Sequence, residues 1–272
     1  MAPTIHFIRH AQGYHNLSYA NQAIHDPLLT PFGEQQCKLL AKTFPYSGVV
    51  DCLVSSPLRR TVYTALLSFP DSKLQLITLP ELQETSDQPC DTGSSRVELE
   101  KEFADRNVDF SRAIDGWNSK KGKWSPERSA IEARAQVVRQ WLMARPEKHI
   151  VVVTHGGLLH HLTEDWIGSD HVAGTVYSLP KALVNRAEYY YQKSGTGWAN
   201  TEYRSYTFDP SRTATASLIE IEESRIRRRG NEKPLSEAEQ RNLRVTAEKE
   251  WEKHGYTKTD SVQQPVKVLA KV

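Results

Sequence analysis

Arg9 and His10 close an apolar run that begins at Thr4, and a second histidine, His155, closes another that begins at His149. Between them in the chain lie Arg59-Arg60, just after Ser55-Ser56, and Glu84, just after the apolar stretch Leu74 to Leu79. Every one of these groups falls at a strand end or a helix start, and in a parallel sheet the carboxyl ends of the strands share one edge. Two arginines, two histidines, Asn16 and a carboxylic acid gathered there suit a phosphoryl dianion attacked by an imidazole. Phosphate monoesters hydrolyse so slowly unaided that catalysed enhancements reach on the order of 10²¹, so such a reaction demands a dense cationic cage. A metal is not expected. The consecutive His160 and His161 cannot share a helix face, and no histidine pair has i, i+4 spacing with a carboxylate ligand. His15, His160 and His161 read as structural, Pro89-Cys90-Asp91 fits a pocket lining and a turn equally well and is left out of the site, and Tyr189 to Tyr191 with Trp198 read as core aromatics rather than a substrate wall.

The elements that must hold these residues follow from local pattern. Thr4 to Ile8 is a β-branched strand leading into a polar loop, Gln12 to Asn16. Thr30-Pro31 offers a helix N-cap and a first-turn proline, and Cys37, Leu40, Ala41 and Phe44 recur at helical spacing until Pro45. Val49 to Val54 is a second strand, followed by a helix with Leu58, Val62, Ala65, Leu66 and Phe69 on one face, and Leu74 to Leu79 is a third strand. Ser125-Pro126 opens a long helix that shares Ile131, Ala135, Val138 and Leu142. His149 to Thr154 is the most apolar strand and belongs at the centre of the sheet, and the turn at His155-Gly156-Gly157 starts a helix. The βαβα alternation makes this an α/β protein with a mostly parallel sheet. Ser205 to Phe208 and Ala216 to Glu222 read as late strands. A capping box at Ser236 and Glu239 starts a charged helix to about Lys253, which reads as a solvated appendage.

Composition narrows the class. The chain has 272 residues, 38% hydrophobic and 25% charged, enough for a sizeable core, and no apolar run approaches the roughly 20 residues of a membrane span. Thirty-five Lys+Arg against 33 Asp+Glu leaves a formal charge of +2, too balanced to imply nucleic-acid binding, so any anion site must be built locally. Cys37, Cys52 and Cys90 are odd in number and lack zinc-ribbon spacing, which places the chain in a reducing, cytoplasmic compartment.

The motifs, taken together, resemble one family. Arg9-His10-Ala11-Gln12-Gly13-Tyr14-His15-Asn16 resembles the Arg-His-Gly signature of the histidine phosphatase superfamily, phosphoglycerate mutase-like branch, in its fungal and plant-like variant. Leu29-Thr30-x-x-Gly33-x-x-Gln36, Ser55-Ser56-Pro57-Leu58-x-Arg60-Thr61-x-x-Thr64-Ala65, Leu82-Gln83-Glu84 and Val153-Thr154-His155-Gly156-Gly157 are similar to the motifs that follow it, in the family's order. The resemblance implies a three-layer α/β/α sandwich and a phosphatase of small phosphorylated metabolites, with no metal or other cofactor. His10 would be the nucleophile that becomes phosphohistidine and Glu84 the proton donor, while Arg9, Asn16, Arg60 and His155 hold the phosphoryl oxygens and Gly156 lets a helix N-terminus approach the anion. A mutase, or a phospho-binding relative recruited to other chemistry, is the alternative. Ala11 stands where the signature usually has Gly, which would strain a backbone that needed positive φ. Residues 1–224 would form the catalytic domain, with the leaving-group side in the stretch 87–124, and 225–272 a charged helical extension. The expected partner is a small-molecule phosphate ester, without nucleic acid or membrane, and the oligomeric state is left open.

Overall fold

A computed structural model describes residues 2–169 and 196–260. Among these, strands β1 (Thr4–Arg9), β2 (Cys52–Ser55), β3 (Leu76–Thr78), β4 (Val108–Asp109), β5 (His149–Thr154), β6 (Tyr203–Phe208) and β7 (Leu218–Glu220) form one sheet in the order β4-β3-β2-β5-β1-β6-β7. The first five run parallel, β6 pairs antiparallel with β1, and β7 pairs antiparallel with β6. The apolar His149–Thr154 strand lies in the middle, as its composition requires. The helices are α1 (Pro31–Thr43), α2 (Arg59–Ser68), α3 (Arg96–Glu102), α4 (Arg128–Met143), α5 (Gly156–Thr163), α6 (Glu222–Arg229) and α7 (Glu237–Lys253).

Alternation along the central strands builds a core on each face. Ile5, Phe7, Val54, Ile150 and Val152 pack against α4, through Ile131, Ala135, Val138 and Leu142, and against α5. Ile8, Leu53, Val151 and Val153 pack on the other face against Leu40 of α1, Val62 and Ala65 of α2 and Leu99 of α3. The result is the three-layer α/β/α sandwich. Thr30 caps α1 by accepting the Gly33 N–H at 3.0 Å, with Pro31 in the first turn.

Register explains why the motifs converge. Arg9 pairs with Thr154 and Ser55 pairs with both Val153 and Thr78, so β1, β2, β3 and β5 end at one level. His10, Ser56 and His155 each follow the last residue of a strand, and the His10 and Ser56 amides donate to the Thr154 and Val153 carbonyls at 2.9 and 3.0 Å.

One feature adds to the sequence pattern and one departs from it. The stretch 87–124 contains α3 and the short strand β4, whose two residues are too few to carry a period, and it buries Trp117 and Trp124 in the core. The C-terminal helix α7 is not a solvated appendage. Ala247, Glu248 and Trp251 are buried, and Trp251 packs on Trp166 with the ring centroids 5.7 Å apart. Two buried apolar anchors, Ala247 and Trp251, with the partly buried Leu243 beside them, dock an otherwise charged helix, and a charge count over all faces hides them.

Candidate active site

The cleft at the carboxyl edge of the sheet is lined by Arg9, His10, His15, Asn16, Arg60, Glu84, Asp91 and Gly157, with Gln22, Thr85, Gln88, Cys90, Thr196, Trp251 and Tyr256. The space inside it is about 100 Å³, and its mouth is open to solvent.

His10 is almost fully buried, and its Nδ1 lies 2.7 Å from the Ala11 carbonyl. A carbonyl only accepts, so Nδ1 carries the proton and Nε2 keeps its lone pair. Burial first, then the positive fields of Arg60 and Arg9, hold the His10 pKa well below its ordinary value, so the ring is neutral at pH 7. His155 and His15 flank it, each with its ring centroid 5.3 Å away and each depressed in the same direction by burial and then Arg60. His155 Nε2 shares a 2.9 Å hydrogen bond with Ser56 Oγ. Ala11 is not among the residues of positive φ, so the departure from Gly costs no strain, and its N–H donates to Thr64 Oγ1 at 3.0 Å.

Arg60, the second residue of α2, is fully buried and points into the cleft, whereas Arg59 turns outward to Glu102. Arg60 Nη1 donates to the Cys90 carbonyl at 2.5 Å and Nη2 pairs with Asp91 at 2.9 Å. Arg9 Nη1 donates to the Trp198 carbonyl at 2.5 Å, and burial lowers its pKa to about 10, still protonated at neutral pH. Asn16, which lines the cleft, has its Oδ1 accept the Gly13 N–H at 3.0 Å. Arg9 Nε, Arg60 Nε, His15 Nδ1, His155 Nδ1 and Thr196 Oγ1 are buried with no protein hydrogen-bond partner. Such a cluster of unmatched polar atoms around one cleft fits an oxyanion as the missing partner.

Glu84 sits at the start of α5. Its carboxylate accepts N–H bonds from Gly157 at 3.1 Å and from Leu158 and Thr85 at 3.0 Å. Burial, then the nearby Asp91 carboxylate, nevertheless raises its pKa, because three amides and Arg60 offset only part of the cost of a buried charge. The loop carrying it is held by Arg134 Nη1, which donates to the Glu81 and Gln83 carbonyls, and by Lys120 Nζ on the Glu84 carbonyl at 3.2 Å. Burial lowers the Lys120 pKa to about 7. The Gln12 loop is held by the second motif: Gln36 Oε1 accepts the Gln12 N–H at 2.8 Å, and the Thr30 N–H donates to the Gln12 carbonyl.

The structure brings His10, Glu84, Arg9, Asn16 and Arg60 to one cleft, with His155 packed on His10. Gly156 is placed differently from expectation: the first turn of α5 gives its Gly157 and Leu158 amides to Glu84, and a Cβ at Gly156 would strike Thr196. It is Gly157 that lines the cleft. His15, read from sequence as structural, and Asp91, left out of the site, also line it. His15 had a local signal, lying inside the signature run, whereas Asp91 had none, since a turn residue and an arginine partner 31 positions away look alike in sequence. Trp198 is core, fully buried with Arg204 over its ring at 3.6 Å, and Tyr189 to Tyr191 lie outside the described residues. The His160 ring lies between the Asp165 and Thr196 carbonyls, to one of which its neutral form donates, and stacks on Trp166.

Residues 5–201 match the histidine phosphatase superfamily (branch 1). The chain belongs to that superfamily. Among relatives of this histidine phosphatase, a phosphoglycerate mutase-like protein of Arabidopsis thaliana is 30% identical over 200 residues, covering 58% of this chain and 73% of its own. A Schizosaccharomyces pombe protein named "probable phosphatase" is 28% identical over 159 residues, covering 56% and 74%. The solved ecdysone phosphate phosphatase of Bombix mori, in complex with tungstate, aligns over 80% of this chain and 92% of its own with a TM-score of 0.50 and 14% identity, a likeness of fold. Among the described residues no helix is long and apolar enough to cross a membrane.

Proposed function

We propose that this histidine phosphatase hydrolyses a small phosphorylated metabolite through a phosphohistidine on His10. One observation carries the reading: Nδ1 of a buried, neutral His10 is pinned to the Ala11 carbonyl, which leaves the Nε2 lone pair free as a nucleophile in a cleft that Arg9, Arg60 and Asn16 also line. In the first step the Nε2 lone pair attacks phosphorus as the bond to the leaving oxygen breaks, and Glu84 delivers its proton to that oxygen. Arg9, Arg60, Asn16 and the unmatched His155 Nδ1 take up the equatorial oxygens, where charge is stabilised without reorganisation. In the second step Glu84, now ionised, takes a proton from water, whose oxygen attacks phosphorus while the P–N bond breaks and inorganic phosphate leaves. The positive charge comes from arginine, so the steps use no metal. The name of the yeast relative supports the phosphatase reading, and the plant and yeast sources of these relatives support the fungal and plant-like variant. The three buried free thiols support a reducing cytoplasm as its compartment.

The test is His10→Ala. Wild-type protein given radiolabelled substrate should form an acid-labile, base-stable adduct and release inorganic phosphate rather than an isomer of the substrate, and the variant should form no adduct while remaining folded. Residual turnover within about tenfold of wild type would remove His10 as the nucleophile.

A further inference from the structure

The phosphate cage accounts for only part of the cleft. The rest of its lining includes Gln22, Gln88, Trp251 and Tyr256, and the two aromatic residues come from the chain beyond residue 201, where the family match ends. That segment is fastened across the cleft from three sides. Trp251 Nε1 donates to the Ser169 carbonyl at 3.0 Å, Gln22 Nε2 donates to Tyr256 Oη at 3.2 Å, and Lys258 pairs with Asp87 of the acid loop. Beyond Tyr256, the Lys258 N–H donates to the Pro126 carbonyl at 2.8 Å and its own carbonyl accepts the Arg128 N–H at 3.2 Å, tying the segment to the start of α4. Trp251 is buried and packs at a tilt on Trp166, while the half-buried Tyr256 has His254 along one ring face, with the centroids 6.3 Å apart, and lines the cleft. Gln22 Oε1 beside it is buried without a protein partner.

We propose that the C-terminal segment forms the leaving-group wall of the cleft, and that Tyr256 is a specificity-determining residue that packs against a planar, uncharged leaving group, so that the preferred substrate is the phosphate monoester of an aromatic or heteroaromatic-bearing alcohol. This rests on the phosphatase reading of the same site. Charge counts toward it as well as shape. Arg9 and Arg60 face the phosphoryl dianion, and Arg60 is already half neutralised by Asp91. A leaving group with its own carboxylate would add a further negative charge beside Asp91, at a cost in so buried a place. A flat neutral ring meets the Tyr256 face and the two glutamine amides without that cost, and the orphaned Gln22 oxygen accepts a hydroxyl or ring N–H from it.

The experiment measures kcat/KM of the full-length protein for 1-naphthyl phosphate and for 3-phosphoglycerate, in wild type and in Tyr256→Phe, Tyr256→Leu and Tyr256→Ala, with thermal unfolding recorded for each. Wild type should prefer the naphthyl ester by more than a small aryl ester such as phenyl phosphate, whose leaving group is of similar reactivity. The naphthyl-to-phosphoglycerate selectivity ratio should fall by about tenfold in Tyr256→Leu and Tyr256→Ala, chiefly through KM, and be kept by Tyr256→Phe, which retains the ring. Tyr256→Leu preserves apolar bulk without a flat face, so the comparison with Phe survives if the alanine variant fails to fold. An unchanged ratio in Tyr256→Leu, or an equal loss with both esters, would show a wall that is only structural and would overturn the proposal while leaving the phosphatase intact. Wild-type protein that releases no phosphate from any of these esters and forms no His10 adduct would instead overturn the phosphatase reading, and this proposal with it.

Discussion

Glu84 is pulled two ways, and its chemistry depends on which wins. The amides of Gly157, Leu158 and Thr85 favour the carboxylate, while burial and Asp91 favour the acid, and the balance lies toward the acid. A group so poised can give a proton in one step and take one in the next. Substituting Glu84→Gln keeps size and hydrogen bonding but delivers no proton. The phosphoryl-transfer step, isolated by burst or single-turnover kinetics, should fall by roughly 10²–10⁴ with an alkyl phosphate and far less with p-nitrophenyl phosphate, whose phenolate leaves unaided. Equal losses for both would count against the acid role. The search would then pass to Asp91, since Glu81 does not line the cleft and Asp87 is engaged with Lys258.

The elements matter through where they stop. Four parallel strands end at one level, and the next residue of each motif then has nowhere to go but the cleft. Helix α5 begins there, and its first amides are occupied by Glu84 rather than left open to the substrate. A Cβ at Gly157 would come within 2.7 Å of Glu84 Oε1 and 3.0 Å of Thr85 Oγ1. Replacing Gly157 by Ala gains helix propensity of up to about 1 kcal/mol, but the Cβ crowds a carboxylate held by three amides, so the two effects offset and stability should change little. The displaced carboxylate should nonetheless cost the first step on the order of 10²-fold. Thermal unfolding and single-turnover rates read the two effects separately; a Gly157→Ala protein with wild-type rate would mean that the α5 amides do not position the acid.

At the scale of the whole molecule, the buried histidines set the response to acid. Burial holds His6 at about 3 and His10, His15, His155 and His161 well below the ordinary value, with His160 lowered too. In the unfolded chain they titrate near 6.5. Below that value the unfolded state binds more protons than the folded one, so stability is complete above about pH 6.5 and is lost as pH falls toward the folded values. Asp26 and Glu84, raised by burial, act in the opposite sense in the carboxylate range but are outnumbered. The melting temperature should therefore fall steadily from about pH 7 to about pH 5. A melting temperature that stays level or rises over that interval would show that these rings are solvated.

The chain by itself determined the layers and most of the phosphate cage. Period-two and helical spacing are local, so the alternation of strands and helices, the central place of His149–Thr154 and the convergence of His10, Arg60, Glu84 and His155 were legible before any coordinates. What only the tertiary structure decided are pairings between segments with no local signature. Asp91 meets Arg60 across 31 positions and Tyr256 meets Gln22 across 234. The same turn or charged helix could face solvent in another fold, and it is the docking of Trp251 beside Trp166, an event of side-chain packing, that carries the C-terminal segment to the cleft.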